Sequence, residues 1–152
     1  AAINFLKDIK DHLPNNQDEF NRRHDEACKK CCAIDNTNIF YGHAQKLINM
    51  SLKYFYNEYA FYYNENNYLG YPNNNIESYF HIPIDNQVID YLREYHKFNI
   101  PNLPFTQWPK EEYLNFQNQL SNRLMNNYKP LEIDYLIWNN GNNFVTNNAI
   151  NT

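Results

Sequence analysis

The chain has 152 residues, of which 43% are hydrophobic, and a net charge of −4 at pH 7. A chain of this length forms one domain with a core large enough to be stable without a metal ion or a disulfide framework. No apolar run reaches the roughly 18 residues that a membrane-spanning helix needs, and no signal-peptide pattern is present, which predicts a cytoplasmic protein without a membrane partner. We also expect a monomer.

Charge is distributed unevenly along the sequence. Residues 1–53 carry eight Lys/Arg and seven Asp/Glu, whereas residues 54–152 carry five and ten. Binding to a polyanion depends on local potential more than on total charge. The acidic second half therefore argues against a nucleic-acid partner that is held mainly through phosphate contacts, and a small basic face on the first half stays open.

The first half of the sequence predicts three helices. Apolar and small residues recur at helical spacing over residues 3–12 and 18–32. Gly42 then marks a turn, and a third helix is predicted over residues 43–62. Lys46 falls in the first turn of that helix, away from its apolar stripe, which comprises Ala44, Leu47, Ile48, Leu52, Phe55 and Tyr59.

The second half begins with an Asn-rich stretch over residues 64–80, which predicts a long loop. Asp85 is well placed to cap a helix over residues 86–97. Pro109 suits the first turn of the next helix, and Pro130 begins the last one, PLEIDYLIWN.

No segment alternates between apolar and polar residues over a length that would argue for a strand. The predicted fold class is therefore all-α, a bundle of about five to seven helices. We expect one helical domain over residues 1–138, followed by a loop or frayed tail over residues 139–152.

Three cysteines lie close together, at Cys28, Cys31 and Cys32, with His24 before them at helical spacing. A clustered, odd number of cysteines does not make a disulfide framework, in agreement with a reducing compartment. The four side chains are one alternative functional site, for zinc or for thiol sensing. Cysteine in a helical stripe more often packs as a small hydrophobe, so we expect neither a metal nor a cofactor.

Lys46 and Asp85 are the candidate catalytic pair. A lysine is a nucleophile only as the neutral amine, and the positive end of a helix dipole disfavours the ammonium form in the first turn. A carboxylate at the start of the following helix can stabilise a cationic intermediate. Taken singly, each residue has a plainer role, as a solvated lysine and as an ordinary helix cap.

The order of these residues resembles a known signature. The segments YGHAQK and HIPIDNQVIDYL are similar to the helix-hairpin-helix DNA glycosylases, which have a glycine-containing turn, a lysine opening a helix and a Pro-apolar-Asp before the next helix. The segments QKLINMSLK and KPLEIDYLIWN resemble the corresponding parts of the archaeal-type 8-oxoguanine DNA glycosylases. The resemblance covers residues 40–140.

This resemblance implies a base-excision repair enzyme that combines glycosylase and β-lyase activities on oxidised purine in damaged duplex DNA. Lys46 would attack the anomeric carbon and form a Schiff base, and Asp85 would stabilise the sugar cation and assist proton transfer. Asp134 and Trp138 would contact and stack upon the extruded base, with Met50 packed against it.

A non-catalytic helical module that binds DNA or a protein partner is the alternative. The acidic second half favours the module, whereas the joint presence of Lys46, Asp85, Asp134 and Trp138 favours the enzyme. The two differ in geometry. The enzyme requires Lys46 and Asp85 to face one cleft near Trp138, and the module permits them to point apart.

Overall fold

A computed structural model describes residues 1–35, 37–66, 76–125 and 127–140 of the chain. These residues form α-helices, two short 3-10 helices at Ile76–Tyr79 and Phe105–Gln107, and no strand. The α-helices are α1 (Ala2–Asp11), α2 (Gln17–Cys32), α3 (Tyr41–Asn66), α4 (Asn86–His96), α5 (Lys110–Arg123) and α6 (Pro130–Asn140). The predicted all-α class and number of helices are confirmed, and no helix in these ranges is long and apolar enough to cross a membrane.

Local signals explain where several helices begin and end. The Asn16 side chain accepts a hydrogen bond from the Glu19 amide (2.9 Å), which caps α2. Asp85 caps α4 in the same way, through the Val88 amide (3.1 Å), as predicted. At its other end α4 stops at Lys97, whose φ of 50° is left-handed and cannot continue a right-handed helix.

Helix α3 is longer than predicted at both ends. It begins at Tyr41 because the Phe40 carbonyl accepts hydrogen bonds from the amides of His43 and Ala44. It continues to Asn66, into the stretch that was predicted as a loop. The rest of that stretch and the predicted tail include residues 67–75 and 141–152, which lie outside the described residues.

Gly42 is a helical residue in the first turn of α3, so the prediction of a turn glycine is wrong. A Cβ atom at this position would lie 1.8 Å from the Phe105 carbonyl oxygen. The Gly42 amide also donates a hydrogen bond to the Trp108 carbonyl (3.0 Å). The glycine is therefore needed for close approach between α3 and the 3-10 helix that contains Phe105, not for an unusual φ.

Among the residues that the structure describes, two apolar clusters make up the core. One is built by α4, α5 and α6 around Trp108 and Phe116, and the other by α1, α2 and α3 around Phe20 and Ile48. Of the stripe predicted for α3, Ala44, Ile48 and Leu52 lie in the second cluster, Phe55 is half-buried outside it, and Leu47 is exposed. The side chain of Tyr59 lies outside the described part of the structure. Leu47 was wrongly assigned to that stripe because its helical position turns it to the outer face of α3.

A buried polar network crosses the core where α2, α3 and α5 meet. His24 Nε2 donates to the Asn49 side-chain oxygen (2.8 Å), and Asn49 Nδ2 donates to the Tyr113 hydroxyl (3.0 Å). That hydroxyl donates to His81 Nδ1 (2.6 Å), and His81 Nε2 donates to the Asn21 side-chain oxygen (2.9 Å). The His81 ring thus accepts through one nitrogen and donates through the other, as a neutral imidazole does.

Candidate active site

The segment 81–85 carries Asp85 into the molecule between the first 3-10 helix and α4. All five of its residues are buried, yet it belongs to no helix. A buried backbone without helical hydrogen bonds must find other partners, because an unpaired carbonyl or amide in a core costs stability.

Side-chain amides from α3 and α5 supply those partners. Gln117 Nε2 donates to the Ile82 carbonyl (3.0 Å), and Asn49 Nδ2 lies 3.4 Å from the same oxygen. Gln45 Nε2 donates to the Ile84 carbonyl (3.3 Å). The segment that ends in Asp85 is therefore held from inside the core by three amide side chains.

Lys46 and Asp85 meet on this scaffold. The Lys46 Nζ atom lies 3.6 Å from Asp85 Oδ2, with the lysine side chain 38% exposed and the aspartate side chain 11% exposed. The amine also lies over the Phe105 ring, 5.3 Å from its centroid, a geometry that attracts a cation. The structure thus brings together two residues that the sequence singled out from different helices.

The position of Lys46 within its helix differs from the prediction. Because α3 begins at Tyr41, Lys46 is its sixth residue and lies beyond the first turn. The field of a helix terminus fades within one turn, so the helix-dipole reason for placing a lysine there does not hold. The groups that act on the amine are instead Asp85 and the Phe105 ring.

A second ion pair lies beside the first. Lys53 Nζ is 2.5 Å from Asp134 Oδ2, and their side chains are 12% and 1% exposed. The amine also lies 4.8 Å from the centroid of the Tyr135 ring. Burial raises the pKa of the Asp134 carboxyl, Lys53 opposes that rise, and the charge of Asp85 adds to it.

Removing the Asp134 carboxylate is expected to destabilise the fold strongly. In Asp134→Ala the mostly buried Lys53 amine loses its counterion, which costs about 3–5 kcal/mol of unfolding free energy. Urea denaturation measures the loss. As a control, Asp90→Ala removes an exposed partner of Arg93 and should change stability by less than about 0.5 kcal/mol. Equal losses in the two variants would contradict a structural role for the Lys53–Asp134 pair.

The other predicted base-binding residues lie on the same two helices. Trp138 is one turn beyond Asp134 on α6 and is 50% exposed, so Asp134 faces the core and Trp138 the surface. Met50 is half-buried, one turn beyond Lys46. Within the described ranges, the ring that contacts the Lys46 amine is that of Phe105.

The alternative site for zinc or thiol sensing consists of residues of α2, and His24, Cys28 and Cys31 among them pack in the core. His24, Cys28 and Cys31 are buried on one face of α2, and the three cysteines are free. Burial raises the pKa of the Cys28 thiol, which favours the protonated form over the thiolate that a metal needs. In the part of the chain that the structure describes, no three His, Cys, Asp or Glu side chains are grouped to hold a metal ion.

The sequence analysis missed two residues of the site. The Phe105 ring contacts the Lys46 amine, and Gln45 binds the segment that carries Asp85. A signal for Gln45 exists, because Gln45 and Asn49 are polar residues four positions apart on the otherwise apolar face of α3. Phe105 lies in a short segment between prolines and leaves no periodic pattern. Its approach to Lys46 depends on how that segment packs on α3.

Comparison with known proteins adds no relative to this description. No protein-family model matches the chain, and neither a curated protein nor a solved structure matches it.

Proposed function

We propose that this protein is a DNA base-excision repair glycosylase with β-lyase activity on oxidised purine, 8-oxoguanine, through a Schiff base at Lys46. The observation that supports it most is the partly exposed Lys46 amine, 3.6 Å from a carboxylate on a separate element. Schiff-base chemistry requires a primary amine that a substrate can reach and a nearby group that moves protons. Lys46 and Asp85 meet both requirements.

In the proposed reaction, the neutral Lys46 amine attacks the anomeric carbon and the damaged base leaves with the electrons of the glycosidic bond. Asp85 is the carboxylate within reach of the amine, so it accepts the proton that the ammonium form must lose. Once it has passed that proton to the departing base, the ionised Asp85 carboxylate stabilises the positive charge that develops on the sugar. Ring opening then gives the Schiff base, from which β-elimination breaks the strand.

The proposed base contacts come from α6 and α3. The exposed indole of Trp138 offers a stacking surface for an extruded base, an interaction worth about 1–3 kcal/mol. Asp134 holds the Lys53 amine on the face of α3 that carries Lys46, seven residues earlier in the chain. Met50 lies between the two lysines along that helix.

Borohydride trapping tests the proposal. Duplexes that contain 8-oxoguanine or an abasic site are incubated with the native protein and with Lys46→Gln, and the covalent adduct is separated by electrophoresis. The native protein is expected to form the adduct and Lys46→Gln to form none, because an amide is not a nucleophile. Lys10→Gln, which changes an exposed lysine at the end of α1, is the matched control and should trap as the native protein does.

The second candidate is a non-catalytic helical module that binds DNA or a protein partner. The observation that favours it is that both lysines of this face are paired with carboxylates, in a chain with a net charge of −4. An adduct that persists in Lys46→Gln would refute the lysine assignment. Folded native protein that traps neither duplex would make the module the better description.

A further inference from the structure

Gln45 is a buried amide that precedes Lys46 and bonds in two directions at once. Its Nε2 donates to the Gly42 carbonyl in its own helix (2.9 Å) and to the Ile84 carbonyl across the core (3.3 Å). Its Oε1 accepts from Asn49 Nδ2 (3.1 Å) and lies 3.5 Å from the Ile84 amide nitrogen. The side chain thus binds both backbone polar groups of Ile84.

The two residues in this contact, Gln45 and Ile84, each directly precede one residue of the candidate pair. Lys46 follows Gln45, and Asp85 follows Ile84. A change in the spacing between Gln45 and Ile84 is therefore passed, through one peptide unit on each side, to the spacing between the Lys46 amine and the Asp85 carboxylate. We infer that Gln45 is a positioning residue, which fixes the Lys46–Asp85 distance through Ile84. This inference rests on the proposed function of that pair.

The distance itself makes the reaction sensitive to such positioning. Direct proton transfer needs heavy atoms about 2.6–3.2 Å apart, and Lys46 Nζ lies 3.6 Å from Asp85 Oδ2. A shift of a few tenths of an ångström closes the pair, whereas displacement by about 1 Å is enough to lower a rate about 100-fold. Gln45 holds the pair within a few tenths of an ångström of the distance that direct transfer needs.

The first test compares Gln45→Met with Gln117→Met. Methionine keeps the length of glutamine but donates no hydrogen bond. Gln45→Met removes the bond to Ile84, and Gln117→Met removes a bond to Ile82 in the same segment, farther from Asp85. Single-turnover trapping on an abasic duplex should slow about 10- to 100-fold in Gln45→Met, with an unchanged Kd for the duplex, and stay within about threefold in Gln117→Met.

A purely structural role would lower the melting temperature in both variants and slow trapping in both equally, or in neither. Either result would overturn the inference. A slower rate in Gln45→Met alone, without a change in Kd, supports it, because general destabilisation does not separate the chemical step from binding.

The second test does not depend on activity. Acetylation of lysines by acetic anhydride is followed by mass spectrometry, with Lys110, which is paired with Asp25, as the internal reference. Lys46 should react about two- to fivefold faster relative to Lys110 in Gln45→Met than in the native protein, because a loosened ion pair frees the amine. If native protein forms no adduct, the proposed function fails, and this measurement still decides the role of Gln45. An unchanged acetylation ratio would refute the positioning role.

Discussion

Lowering the pH from 7 to 4.5 is expected to remove about 5 kcal/mol of unfolding free energy, because the native state buries two core histidines as neutral rings. His24 and His81 are both buried, with ring centroids 4.6 Å apart. Burial lowers the pKa of His24 to about 4, against weaker effects of Asn49 and Asp25 that raise it. Burial, and then the neighbouring His24, lower the pKa of His81 well below its usual value.

The direction of the effect follows from proton binding in the two states. In the unfolded chain both rings titrate near pH 6.5, so below about pH 6.5 the unfolded state binds more protons than the native state. The stability is fully present above that pH and falls by about 3 kcal/mol per pH unit for the two rings together. A loss of about 5 kcal/mol is comparable with the total stability of many domains.

Urea denaturation at pH 7, 6, 5 and 4.5, followed by circular dichroism, measures this dependence. The exposed His43 provides the control, because His43→Gln should leave the pH dependence unchanged. Histidine ring signals in NMR spectra give an independent reading. Rings of His24 or His81 that titrate near pH 6.5 in the native protein, or a stability that is constant from pH 7 to 5, would contradict the expectation.

The substitution Gly42→Ala is expected to lower the unfolding free energy by about 3 kcal/mol, although alanine is the better helix former by about 1 kcal/mol. The added Cβ would overlap the Phe105 carbonyl oxygen at 1.8 Å, and backbone atoms on both sides cannot simply rotate away. The first turn of α3 or the 3-10 helix beneath it must therefore shift.

Thermal and urea denaturation of Gly42→Ala measure this loss, with His43→Ala as the neighbouring control. His43 is exposed in the same turn, so its replacement should change stability by less than about 0.5 kcal/mol. A Gly42→Ala protein as stable as the native one would show that helix propensity outweighs the close contact.

The helices were predictable where their signals are local. The Asp85 cap, the proline at the start of α6 and the apolar spacing of α3 each lie within a few residues of the feature that they predict. The start of α3 was not predictable in this way. A glycine in a sequence usually indicates a turn, whereas Gly42 lies inside the helix and allows a close contact with the Phe105 segment. Only the packing of the Phe105 segment distinguishes these two roles.

The candidate site was predictable in part. The structure brings Lys46 and Asp85 within 3.6 Å, as the order of the motifs suggested, but their catalytic role stays a prediction. The Lys53–Asp134 pair joins residues 81 positions apart, and no local pattern couples residues at that separation. Long-range charge pairing depends on how α3 and α6 are placed, which the helical periodicity of either segment leaves open.

The side-chain hydrogen bonds that hold segment 81–85 affect how this part of the protein can change in evolution. In a β-sheet, a strand shares its hydrogen bonds with the backbone of its neighbours, so moving it disturbs the sheet. Here the Ile82 and Ile84 backbone groups are held by individual side chains of α3 and α5. A single substitution at Gln45 can therefore move the Asp85 carboxylate while both helices keep their course, so the position of this carboxylate can diverge separately from the scaffold.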